Sequence, residues 1–69
     1  MIIRFPSRPD AESFKGQMMK AHPETYVSVY LRGSRYVAQF SGSFADEEIR
    51  KLAQLAGVSG YNIMSAGMR

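Results

Sequence analysis

Apolar and polar residues alternate with a period of two through residues 25–41, and the alternation locates a β-hairpin to the residue. β-Branched and aromatic positions flank Gly33-Ser34, the signature of a two-residue turn with glycine where positive φ is required. Such a turn pairs Arg32 with Arg35, Leu31 with Tyr36, Val29 with Ala38 and Val27 with Phe40. Directly opposed residues share a face of the sheet. Val27, Val29, Leu31, Tyr36, Ala38 and Phe40 are therefore expected to form the apolar, core-facing side. Tyr26, Ser28, Tyr30, Arg32, Arg35, Val37 and Gln39 make up the opposite face.

The rest of the chain divides by the same reading. Residues 1–5 form a short apolar strand that must stop at Pro6, which has no N–H to give to a ladder. Ser7 then suits a helix N-cap, Pro9 the first turn, and Asp10 and Glu12 the positive end of the helix dipole. Ala11, Phe14, Met18 and Ala21 recur at helical spacing and predict a buried stripe. Gly16 weakens this helix by about 1 kcal/mol relative to alanine, and Pro23 closes it after His22. A second helix is expected from the capping pair Ser43 and Asp46. Its apolar stripe is Ala45, Ile49, Leu52, Ala53 and Ala56, with Glu47 and Lys51 paired one turn apart on the solvent side. Gly57 is placed to end it. Residues 61–66 can form a last strand, and residues 67–69 a frayed end.

The predicted order is β-α-β-β-α-β. Two right-handed crossovers of this kind place both helices on one face of a four-stranded antiparallel sheet, the α+β, ferredoxin-like arrangement. The first and third strands are then central and the second is an edge. A βαββα domain with a loose C-terminal tail is the alternative, because residues 65–67 are poor strand formers. Either way, 69 residues make a single domain spanning 1–69.

Composition narrows the function. There is no cysteine, so neither a disulfide framework nor a Cys-based zinc site can staple so small a core. That raises the expectation of a homodimer. No apolar run approaches the ~20 residues that span a bilayer, and residues 1–5 are too short and too interrupted for a secretory leader. A cytoplasmic protein with no membrane partner is expected. The net charge of +3 is mild, but its distribution is not even. All acids fall within residues 10–24 or 46–48, and residues 25–45 carry none.

That distribution makes the Tyr/Arg face the leading candidate for function. Tyr26, Tyr30, Arg32, Arg35 and Gln39, with Arg4 and Ile2 beside them from the first strand, are the expected partner-binding residues. Tyrosine and arginine are common anchors of protein interfaces, and they also stack bases and track phosphates in single-stranded nucleic-acid binders. The expected topology is similar to that of the RNA-recognition motif, whose third strand runs basic-Gly-aromatic-Gly-aromatic-apolar-x-aromatic. Here Arg32-Gly33 is followed by Ser34 and Arg35, and Gln39 stands where the last aromatic belongs. Register also turns Tyr36 and Phe40 toward the helices. A protein partner is therefore expected first and nucleic acid second. The edge strand over residues 25–31 has no proline and no charge, so strand addition by a second copy or by a target protein is a further route to assembly, as is self-association of the sheet face.

Other chemistry is thinly represented. His22 stands alone at a helix end, where it suits a capping or solvent role, and no second set of ligands is spaced to make it a metal site. Asp46, Glu47 and Glu48 open a helix and complement its dipole. No phosphate-cradling glycine pattern is present, and no nucleophile, base and orienting group can be assembled. A non-enzyme without cofactor or metal is expected. A tiny, cofactor-free single domain of this topology resembles in type, with no motif in common, the phage-encoded inhibitors of host defence such as anti-CRISPR proteins. The resemblance implies an inhibitor that works by docking on a protein target.

Overall fold

A computed structural model describes residues 1–42 and 44–65. Six elements follow the chain: β1 (Ile2–Phe5), α1 (Arg8–Ala21), β2 (Val27–Arg32), β3 (Arg35–Phe40), α2 (Asp46–Ala56) and β4 (Asn62–Ser65). The sheet is antiparallel throughout in the order β2-β3-β1-β4, with both helices on one face. This is the βαββαβ, ferredoxin-like α+β arrangement, with β1 and β3 central. Residues 66–69, which include the end of the anticipated last strand, lie outside the described residues. No described helix is long and apolar enough to cross a membrane.

The hairpin has the predicted register without a slip, from Arg32 opposite Arg35 to Val27 opposite Phe40. Gly33 has φ 65°, the left-handed conformation that glycine adopts at no steric cost. Its inward face packs with both helices: Val27 and Ala38 are wholly buried, Phe40 nearly so, and Val29 and Tyr36 pack partly buried against the same core. Ile3 and Phe5 of β1 add to this face. Phe5, Phe14 and Phe40 form a chain of tilted ring contacts at centroid distances of 5.3 and 6.3 Å across the sheet–helix interface.

Both helices carry the expected stripes with changes at their ends. On α1, Ala11, Phe14 and Met18 are buried, and the Ser7 hydroxyl accepts from the Asp10 N–H at 3.4 Å as an N-cap. Ala21, assigned to the stripe, is exposed because the helix ends there and the chain turns away at His22 and Pro23. On α2, Ile49, Leu52 and Ala53 are buried, and Gly57 caps the C-terminus with φ 73°. Ala45 is not part of that stripe: it is the N-cap, exposed, and offers no side-chain acceptor. Ser43, anticipated as the cap, lies outside the described residues. Glu47 and Lys51 are not paired; the i,i+4 ion pair present is Arg8 with Glu12 at 3.7 Å on α1.

Two hairpin residues keep their predicted faces but not the burial expected of those faces. Leu31, expected in the core, is 56% exposed. Burial falls steadily along β2 from Val27 to Arg32, so the far end of the strand runs out from under the helices. Val37, assigned to the open face, is buried although it is not part of the main core cluster. Its cross-strand neighbours on that face are Tyr30 and Arg4, whose long side chains stand on either side of it.

Candidate functional site

The outer face of the sheet is built in rows that follow from the pairing. One row runs Tyr30, Val37, Arg4 and Asn62 across β2, β3, β1 and β4. The next runs Ser28, Gln39 and Ile2. Beyond these, Tyr26 precedes β2, and Arg32 and Arg35 close the tip. Tyr26, Tyr30, Arg32, Arg35, Arg4 and Gln39 thus all belong to the one surface on which the sequence placed them.

Their states differ. Tyr26 is 74% exposed and projects from the surface. Tyr30 is only about half as accessible, at 37%, because its hydroxyl donates to the Gln39 Oε1 at 2.7 Å diagonally across the hairpin. This bond ties the Tyr30 hydroxyl to the Gln39 side chain on β3. Near Tyr26, a depression is lined by Met1, Ser28, Gln39, Phe40 and Ser41, so the exposed ring stands at the rim of a recess rather than on a plain surface.

Among the described residues these arginines face no counter-charge. Arg32 and Arg35 sit directly opposite each other at the turn, an arrangement that costs stability between like charges. The ion pairs among the described residues are Arg8 with Glu12 and His22 with Glu48, so Arg4, Arg32 and Arg35 have no ionic partner there. Arg4 is the most constrained. It occupies the centre of the sheet, and its Nε is buried with no hydrogen-bond partner among the described residues. A desolvated N–H of a cation is costly until an acceptor meets it.

Central strands β1 and β3 present Ile2, Arg4, Arg35, Val37 and Gln39 outward, and no aromatic ring. Tyr36 and Phe40 pack with the core. The platform on which an RNA-recognition motif stacks bases is therefore missing from the middle of this sheet. Asn62, beside Arg4, was not anticipated; the alternation of residues 61–64, with Tyr61 and Ile63 packed on the core, is the signal that points it outward.

Away from this face, His22 has a definite role. Its Nε2 lies 3.1 Å from the Glu48 Oε2, and its ring packs 4.8 Å from that of Phe44, which in turn meets Phe40 at 5.6 Å. The end of α1 is thereby tied to the first turn of α2. His22 also ends α1 through its backbone, its N–H donating to the Met18 carbonyl. Among the described residues no three His, Cys, Asp or Glu side chains come together as a metal site. Comparison with protein-family models, with curated proteins and with solved structures gives no match to this chain.

Proposed function

We propose that this protein is a non-enzymatic binding module that docks on an acidic surface of a protein partner through the outer face of its sheet and the hairpin tip. The observation that carries the reading is Arg4: a guanidinium at the centre of an acid-free face, with its Nε buried and lacking an acceptor among the described residues. The Nε itself is out of a partner's reach, but a partner carboxylate would pair with the outer N–H groups of the same guanidinium, with charge-assisted strength and fixed geometry. Tyr26 serves as the projecting aromatic anchor, Tyr30 as a tethered contact, and Arg32 and Arg35 give electrostatic registration at the edge. Docking of this kind acts by occlusion, as in the small phage-encoded inhibitors of host defence that the chain resembles in type. Single-stranded nucleic acid is the weaker alternative, because the outward residues of β1 and β3 include no ring to stack on a base.

The test is selection of random displayed peptides against the purified protein, with a mixed-sequence single-stranded oligonucleotide titrated in parallel at roughly 50 and 200 mM salt. Selected peptides rich in Asp and Glu are expected. Their affinity should fall at least tenfold, about 1.4 kcal/mol, in Tyr26→Ala and in Arg35→Glu, with the thermal midpoint nearly unchanged. Salt-dependent oligonucleotide binding without acidic peptides would replace this reading with the nucleic-acid one.

A further inference from the structure

We infer that two copies of this chain pair through the free edge of β2 in a two-fold antiparallel register with Tyr30 opposite Tyr30 of the second copy. The inference is independent of the proposed docking function and concerns the edge of the sheet rather than its face.

The direction of the backbone groups follows from the hydrogen bonds of the neighbouring strand. The Phe40 N–H donates to the Met1 carbonyl at 3.0 Å, and the Met1 nitrogen donates to the Phe40 carbonyl at 2.6 Å. The backbone groups of Phe40 therefore face β1, and its opposite residue Val27 is a non-hydrogen-bonded partner. Alternation along an antiparallel pair then assigns Ser28, Tyr30 and Arg32 to bonds with β3. Val27, Val29 and Leu31 turn their N–H and C=O groups outward.

Burial decides which of these are available. Val27 is wholly inaccessible, so its outward groups cannot be reached. Val29 is partly exposed and Leu31 is 56% exposed. The usable edge is therefore the stretch from Val29 to Leu31, with no proline, no charge and no register shift to block it. The other edge of the sheet is treated differently: Ile3 faces Ile63 but Ile2 faces Ser65, so Met64 is an extra residue that interrupts regular pairing along β4.

Only one antiparallel register satisfies these limits with a second copy. Centring the two-fold axis on Tyr30 puts Val29 opposite Leu31 of the second copy, and Leu31 opposite Val29. All four outward N–H and C=O pairs then meet. Centring it on Val29 would require the unreachable Val27. Centring it on Leu31 would set Val29 against the turn glycine. In the Tyr30-centred register Arg32 stands opposite Ser28 rather than another arginine, so no like charges face each other. The register also accounts for the anomaly of Leu31, the apolar residue of the inward face that its own helices leave uncovered, by burying it against Val29. A second copy is the occupant because one short stretch supplies both halves of the pairing, as an isologous contact demands.

Sedimentation velocity between about 1 μM and about 1 mM, the span of weak complexes, tests for the pair. Amide hydrogen exchange at both ends of that range locates it. Protection of the Val29 and Leu31 amides that rises with concentration is expected, while the Tyr30 and Arg32 amides, already bonded to β3, stay constant. Val29→Pro removes only an outward N–H, which an edge strand tolerates. Leu31→Lys leaves the backbone intact and supplies a second variant should the proline disturb folding. Each should raise the dissociation constant at least tenfold, or about 1.4 kcal/mol. A monomer at every concentration would overturn the inference. So would a dimer in which Val29 and Leu31 exchange as freely as in the monomer.

Discussion

Val27 and Leu31 lie on the same strand and the same face, four residues apart, yet truncation should cost far more at the first than at the second. Val27→Ala deletes two carbons from a wholly buried side chain. At about 0.8 kcal/mol per buried carbon plus a cavity term, the loss should be roughly 2–3 kcal/mol. Leu31→Ala deletes three carbons, but from a side chain in a residue that is 56% exposed. Its loss should stay within about 0.5 kcal/mol. A domain of this length rarely holds more than about 3–5 kcal/mol, so the first change removes half or more of the total and the second hardly any. Urea unfolding followed by circular dichroism is the suitable assay, since the chain has no tryptophan to report by fluorescence. With a slope near 1 kcal/mol per molar, the midpoint of Val27→Ala should fall by roughly 2–3 M. The measurement belongs at low micromolar concentration, because association at higher concentration would add a contribution at Leu31 by mass action. Equal losses for the two variants at low concentration would refute the claim that the helix layer stops short of the hairpin tip.

Two further outcomes follow from the helices. Gly16→Ala should raise stability by about 0.5–1 kcal/mol, since the added methyl meets nothing within 4 Å and glycine is a poor interior helix residue; a loss in urea midpoint would refute this. The tie between helices can be measured by a double-mutant cycle of His22→Ala and Glu48→Ala. A coupling of about 0.5–1.5 kcal/mol is expected for a half-buried hydrogen bond, and additive single effects would show that the 3.1 Å contact contributes nothing.

What the chain reveals before folding is mostly what depends on neighbours in sequence. Gly33-Ser34 fixes the hairpin register because turn length and side-chain alternation are both local, and every pair from Arg32 with Arg35 to Val27 with Phe40 follows from them. The same holds for the Ser7 cap and the Gly57 stop. Leu31 has the inward face that alternation gives it but not the burial, because alternation does not say whether a helix extends over a residue. Val37 lies on the outer face as its register dictates but is buried there, between Tyr30 and Arg4, the latter from a strand far off in sequence. The contact of His22 with Glu48 spans 26 residues and depends on how α1 packs on α2, so the local sequence offered only a helix-end role. The six partner-face residues were brought to one surface as expected, but the pairing of Tyr30 with Gln39 and the orphaned Arg4 Nε required the side chains themselves.

The extra residue at Met64 has a consequence for how far a sheet of this kind can extend. A sheet with two regular edges is a polymer repeat unit, since each added copy presents a fresh edge to the next. Here one side offers regular strand and the other breaks step between Ile63 and Ser65. Head-to-tail growth needs both sides to match, whereas a two-fold pairing needs only one and uses it up in both copies. Strand addition of the two-fold kind inferred above would therefore be self-terminating, and the irregularity on β4 is the feature that would oppose head-to-tail growth.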